Sequence, residues 1–126
     1  MDETREIMSC EVITVGPDTP LRQVVAVLAE NDITGVPVVD EGGSLLGIIT
    51  EKNLLGLLSN PQTADGPARD YMTTDVVSFD ENEDLIAVCE GLVNSHFRRA
   101  PILSEGKLVG IISRRDIIKY ILEPIG

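Results

Sequence analysis

Aromatic side chains are nearly missing: two Tyr, two Phe and no Trp in 126 residues. A core made without them must be aliphatic, and the aromatic platforms on which single-stranded nucleic acid stacks are not available. Basic residues are scarce as well, ten Lys and Arg against 21 Asp and Glu, for a formal net charge of −11. That balance disfavours nucleic acid and anionic membrane as partners, because a polyanion needs a basic surface to displace its counterions. No apolar run reaches the roughly 20 residues that span a bilayer. The N-terminal Met1-Asp2-Glu3-Thr4-Arg5 lacks the apolar stretch of a secretory signal. Cys10 and Cys89 have neither metal-ligand spacing nor the pattern of a disulfide framework. Reduced thiols in a cytoplasmic protein are expected. The single histidine, His96, has no nucleophile or carboxylate at a recognisable spacing. P-loop, zinc-ligand, G-x-S-x-G and paired-carboxylate motifs are absent. The expectation is a non-catalytic protein with no obligatory cofactor and no metal.

What is present is an internal repeat. Hydrophobic residues make up 43% of the chain, enough for a real core. Ile7-Met8-Ser9-Cys10-Glu11-Val12-Ile13-Thr14-Val15 lies over Tyr71-Met72-Thr73-Thr74-Asp75-Val76-Val77-Ser78-Phe79. The same register pairs Leu21 with Leu85, Val24 with Val88, Leu28 with Leu92 and Pro37 with Pro101. An extra residue near Gly42-Gly43 shifts the register, after which Gly47-Ile48-Ile49-Thr50 meets Gly110-Ile111-Ile112-Ser113.

Within each copy, β-branched Val12-Ile13-Thr14-Val15 predicts a strand. Asp18-Thr19-Pro20 predicts a helix start, with Pro20 at the first helical position. Leu21, Val24, Val25 and Leu28 recur at i, i+3, i+4 and i+7, as do Leu85, Val88, Cys89, Leu92 and Val93, giving one apolar helix face in each copy. Val36-Pro37-Val38-Val39 and Leu45-Leu46-Gly47-Ile48-Ile49 flank the hairpin signal Asp40-Glu41-Gly42-Gly43. A closing helix runs from Thr50 with Leu54, Leu55, Leu57 and Leu58, and its counterpart carries Ile117, Ile118, Ile121 and Leu122. The order is β-α-β-β-α twice. Residues 1–60 form the first repeat, the polar, Pro- and Gly-bearing 61–67 a linker, and 68–126 the second repeat. One unit of about 60 residues buries too little surface alone, so the two sheets are expected to pack face to face as a pseudo-twofold pair.

This duplicated βαββα unit resembles the tandem cystathionine-β-synthase (CBS) domain module, of mixed α/β (α+β) class. The resemblance rests on Arg5-Glu6-Ile7-Met8-Ser9 and Arg69-Asp70-Tyr71-Met72-Thr73, on Gly35-Val36-Pro37-Val38-Val39-Asp40, and on the closing Gly-hydrophobic-hydrophobic-Thr/Ser-x-x-Asp/Asn motif. It covers essentially the whole chain. It implies a regulatory module that binds an adenine nucleotide (AMP, ADP or ATP) in a cleft between repeats and signals energy state to an effector, here in trans or from a longer chain. S-adenosylmethionine and NAD are alternative ligands. A ligand-independent interaction module is the other reading, because Leu57, Leu58, Ile121 and Leu122 exceed what one small core can bury and suit a homodimer.

The resemblance also implies which residues meet the ligand. The stronger cleft would use Ser113, Arg115 and Asp116 at a strand-to-helix junction, with Asp116 on the ribose hydroxyls. Arg98 and Arg99 would approach the phosphates. Thr4 and Ser9 come from the first leading segment, and Thr34, Gly35, Val36 and Pro37 form an adenine wall. Six of the ten basic residues fall between positions 98 and 119, which favours a local anion site within an acidic chain. The weaker cleft would use Thr50, Lys52, Asn53, Thr73, Ala100 and Pro101. Asn53 stands where the family has its ribose-binding Asp, and Ala68 stands where the first repeat has Thr4. A hydrogen bond to a charged group contributes about 1.5–3 kcal/mol against about 0.5–1.5 for a neutral one, so the two clefts should be unequal.

Overall fold

The computed structural model describes residues 4–95 and 98–122, apart from the Leu58 side chain. His96 and the Leu58 side chain thus lie outside the described residues. The chain forms two compact units, Ile13–Val76 and Met1–Val12 together with Val77–Gly126. Units and sequence repeats are offset, because each unit holds the hairpin of one repeat and the leading segment of the other.

The 13–76 unit comprises α1 (Leu21–Asn31), β1 (Gly35–Val39), β2 (Leu45–Thr50) and a short α2 (Glu51–Leu54). Helix α2 tightens into a 3-10 turn at Leu55–Leu58. The longer helix expected from Thr50 is cut short by Gly56 and by Pro61 just beyond, which disfavour continued helical backbone. On α1, Leu21, Val24 and Leu28 enter the core, while Val25 is exposed. Pro20 occupies the N-cap rather than the first helical position, and Asp18 instead pairs with Arg69. Asp32 closes the helix in the left-handed region, φ 52°. Strands β1 and β2 pair antiparallel, Gly35 opposite Thr50 and Val38 opposite Gly47. The Asp40 carboxylate ties their turn by accepting from the Gly42 and Ser44 N–H groups at 3.0 and 2.9 Å.

The other unit comprises β3 (Phe79–Asp80), α3 (Leu85–Val93), β4 (Arg99–Ser104), β5 (Lys107–Ser113) and α4 (Arg114–Leu122). Its sheet order is β3-β4-β5, with β3 parallel to β4 and β4 antiparallel to β5. Asp84 caps α3 by accepting from the Ile86 N–H. Leu85, Val88 and Leu92 are buried as expected, but Val93 is 75% exposed, off the inward stripe. The β4–β5 turn uses two successive left-handed residues, Glu105 at φ 53° and Gly106 at φ 81°, as a tight hairpin requires. The first hairpin carries the extra residue, and Gly43 there takes φ 89°.

The opening strand of each repeat is shorter than expected. Val15 makes an isolated parallel bridge to Val38, donating to the Pro37 carbonyl and accepting from the Val39 N–H. One ladder step earlier, the Ile13 carbonyl would need the N–H that Pro37 lacks, so pairing stops. Pro101 stands at the same register before the two-residue β3.

Each leading segment is fastened to a final strand. Ser9 and Ile111 exchange backbone bonds of 2.8 and 2.9 Å, and Thr73 and Ile48 do the same at 2.9 Å each. Glycine makes the approach possible. A Cβ at Gly110 would fall 2.5 Å from the Met8 sulfur, and one at Gly47 would fall 2.7 Å from the Thr73 carbonyl oxygen. Each unit therefore closes over its own aliphatic core, Val15, Leu21, Val24, Val36, Val38 and Ile49 in one and Val88, Leu92, Ala100, Ile102 and Ile112 in the other.

Candidate functional site

Strand β5 runs directly into α4, and the junction is locked by a reciprocal capping box. The Asp116 N–H donates to Ser113 Oγ at 3.1 Å, and the Ser113 N–H donates to Asp116 Oδ2 at 2.9 Å. This orients the half-buried carboxylate without exhausting it. Oδ1 has no partner among the described residues, and no ion pair among them includes Asp116. A carboxylate offers about four lone-pair sites, so most of its acceptor capacity is still open to two hydroxyl donors.

Around this carboxylate the second unit gathers cations. Arg99 pairs across the hairpin with Ser113, and the Arg98 carbonyl accepts from the Arg114 N–H at 3.1 Å. Arg98, Arg99 and Arg115 are exposed and join no ion pair among the described residues. Ser9, also exposed, is brought to the same strand through its bridge to Ile111. Arg114 points to a different task. Its Nη2 donates to the carbonyls of Leu92 and Ser95 at 2.9 and 3.2 Å, satisfying the C-terminal end of α3. Sequence reasoning missed that role, since nothing in the spacing of 92 and 114 predicts the meeting.

Other expected residues are placed differently. Thr4 is 0% exposed, and its hydroxyl donates to the Glu83 carbonyl at 2.9 Å. Its counterpart Ala68 is equally buried. The position is part of a core in both units, with the hydroxyl engaged internally in one of them. Thr34, Gly35, Val36 and Pro37 belong to the 13–76 unit. Thr34 is exposed and its carbonyl accepts from the Glu51 N–H at 2.9 Å, whereas the Val36 and Pro37 side chains are buried in the core. Ala100 and Pro101, in the other unit, are likewise buried.

The residues matching Ser113 and Asp116 in the 13–76 unit make a fuller network. Asn53 Oδ1 accepts from the Thr50 N–H at 2.9 Å and from the Thr50 hydroxyl at 3.1 Å. Asn53 Nδ2 donates to Thr73 Oγ1 at 3.2 Å. Lys52 is exposed beside them. Both cysteines are free: Cys10 is exposed, and burial pushes the Cys89 thiol above its ordinary range. No group of metal-ligating side chains occurs among the described residues, and no helix among them is long and apolar enough to cross a membrane.

A duplicated helix-flanked hairpin, with a capping-box residue at each strand-to-helix junction, defines a tandem α+β module. The CBS-domain model matches residues 5–60 and 68–123, and the chain belongs to the CBS-domain family. Among its relatives is protein MJ1225 of Methanocaldococcus jannaschii, 32% identical over 95% of this chain and 43% of its own length. Another is the inosine-5'-monophosphate dehydrogenase of the same organism, 34% identical over 90% of this chain but only 22% of the enzyme. The chain thus spans less than half of either relative. Among solved structures, CBSX2 from Arabidopsis thaliana in complex with AMP superposes with a TM-score of 0.90 at 25% identity, all of both chains covered. The CBS pair of MJ0100, in complex with 5'-methylthioadenosine and S-adenosylmethionine, shares the fold with a TM-score of 0.82 at 23% identity, covering 98% of each chain.

Proposed function

We propose that the chain is a non-catalytic regulatory module that binds an adenosyl ligand, an adenine nucleotide in preference, through the carboxylate of Asp116. The observation that carries this reading is a carboxylate fixed by Ser113 whose Oδ1 has no partner among the described residues, with Arg98, Arg99 and Arg115, in no ion pair among those residues, beside the same end of the hairpin. A vicinal diol supplies two donors to such an acceptor. Ser113 and Ser9 add neutral hydroxyls, and Arg98, Arg99 and Arg115 offer charge-assisted bonds to phosphate. The part of Thr34, Gly35, Val36 and Pro37 as an adenine wall rests on the family resemblance and on the AMP bound by CBSX2. Occupancy shifts the balance between conformations that bind the ligand unequally, which is what signalling to an effector in the cytoplasm needs.

Isothermal titration with AMP, ADP, ATP and S-adenosylmethionine tests the reading. Asp116→Ala should weaken nucleotide binding by roughly tenfold or more, the loss of a charge-assisted bond. Equal affinity for wild type and variant refutes the site. Stronger binding of S-adenosylmethionine than of ATP refutes the phosphate preference.

A second reading, compatible with the first, is homodimerisation. Helix α4 leaves Ile118, Ile121 and Leu122 57%, 57% and 63% exposed, an apolar surface that a second copy would cover. Leu57, expected to share in this excess, instead packs on the core of the 13–76 unit.

A further inference from the structure

We infer that the groove holding residues 4–9 also takes the same segment from a second copy of this chain, so that two copies join by exchanging leading segments. Ligand binding plays no part in the exchange, and the contact is separate from the apolar face of α4.

The two repeats already exchange these segments within one chain. Residues 4–9 belong to the unit that holds the second hairpin, and 68–73 to the unit that holds the first. Both grooves use one pattern of backbone bonds. The Thr4 and Arg5 N–H groups donate to the Glu83 and Glu81 carbonyls at 3.2 and 3.0 Å. Those of Ala68 and Arg69 donate to the Thr19 and Pro17 carbonyls at 2.8 and 2.9 Å. Further along, Ser9 and Thr73 each exchange a pair of bonds with a closing strand, at Ile111 and Ile48. Between these points a methionine lies over a strand glycine, Met8 over Gly110 and Met72 over Gly47. Recognition is thus mostly by main chain, as when a peptide adds to a sheet edge. Such a groove selects a segment of the right shape and cannot tell which copy supplied it.

Only the tether favours the chain's own segment. Residues 10–14 connect it to Val15, and among the described residues they make no hydrogen bond. Cys10, Glu11, Ile13 and Thr14 are exposed. Five such residues span at most about 17 Å, and so short a link sets an effective concentration in the millimolar range. The closed single chain is therefore favoured when dilute, and a second copy competes as its concentration nears that range. Segment 68–73 is held back, because the chain before it is itself docked. The Leu21 N–H donates to the Gly66 carbonyl at 3.0 Å, and Asp65 pairs with Arg22. Exchange of 4–9 gives a closed pair, since each copy lends one segment and fills one groove.

Refolding a mixture of two full-length single-cysteine chains tests this. One carries Ser9→Cys and the other Ile111→Cys, both with Cys10→Ser, Cys89→Ser and Ile121→Lys, the last to remove the α4 contact. Refolded from urea near millimolar concentration and then oxidised, they should form a disulfide between position 9 of one chain and position 111 of another, identified by peptide mass spectrometry. At micromolar concentration its yield should fall by about tenfold or more. The double variant Ser9→Cys, Ile111→Cys in the same background should close the bond within one chain when dilute. No bond between chains at the higher concentration, with that internal bond formed, overturns the inference. Links of 9 to 9 or 111 to 111 alone, which collision gives, overturn it as well. The Ile121→Lys chain with no added cysteine is the check on folding. Gel filtration should show dimer from its concentrated refolding alone, and monomer from both concentrations overturns the inference.

Discussion

At the residue scale, neighbouring hydroxyls of similar chemistry have been given unlike work. Thr4 and Ser9 lie five positions apart, yet one is sealed in the core with its hydrogen donated to Glu83 and the other is exposed where the leading segment bridges to Ile111 of β5. Thr4→Val should therefore cost about 1 kcal/mol of stability, read by urea denaturation, because it removes a buried hydrogen bond. Its effect on nucleotide affinity should be within error if the residue serves only the core. The cysteines should separate in the same way. Burial raises the Cys89 thiol, so at any given pH less of it is the reactive thiolate, and iodoacetamide should label exposed Cys10 first. Faster labelling of Cys89, read by peptide mass spectrometry, would contradict its burial.

At the element scale, two devices hold the strands and helices in place. The first is the close lay of each leading segment over a strand glycine. Gly47→Ala would drive a methyl group into the Thr73 carbonyl, a backbone atom with nowhere to go, and should cost about 1–3 kcal/mol in denaturant. Gly110→Ala meets the flexible Met8 side chain at 2.5 Å but a backbone atom, the Ser9 carbonyl oxygen, only at 3.0 Å, so it should cost somewhat less. An equal loss in both would argue against this difference. The second device is Arg114 at the end of α3. Arg114→Met removes the charged donor from the Leu92 and Ser95 carbonyls, leaving Leu92 only its longer bonds from Ser95, and should destabilise the unit by about 1 kcal/mol. Arg115→Met, exposed and in no ion pair among the described residues, should leave stability nearly unchanged and weaken nucleotide binding instead.

At the scale of the whole molecule, charge and apolar surface pull in different directions. A formal charge of −11 resists association at low salt. The exposed Ile118, Ile121 and Leu122 favour it. Sedimentation should show a dimer that strengthens between low and physiological ionic strength as screening shortens the reach of the repulsion to roughly 8 Å. Ile121→Lys should yield monomer with the fold intact, and a dimer persisting in that variant would place the interface elsewhere.

The repeat was legible because duplication prints itself on the chain: Pro37 over Pro101, Gly47 over Gly110 and Met8 over Met72 needed no coordinates. So were the hairpins and the inward stripe of Leu21, Val24 and Leu28, since local periodicity and turn chemistry are written in neighbouring residues. The strand expected at Val12–Val15 shrank to one bridge because a proline on its partner withholds a hydrogen, a property of the pairing and not of the segment. Position 116 stood out as a carboxylate beside a capping serine. That its Oδ1 stays open while the Asn53 amide is filled depends on how side chains turn toward partners up to 20 residues away, which only the folded chain decides. The same holds for Thr4, whose hydroxyl reads as available in sequence and is committed to a carbonyl 79 residues on.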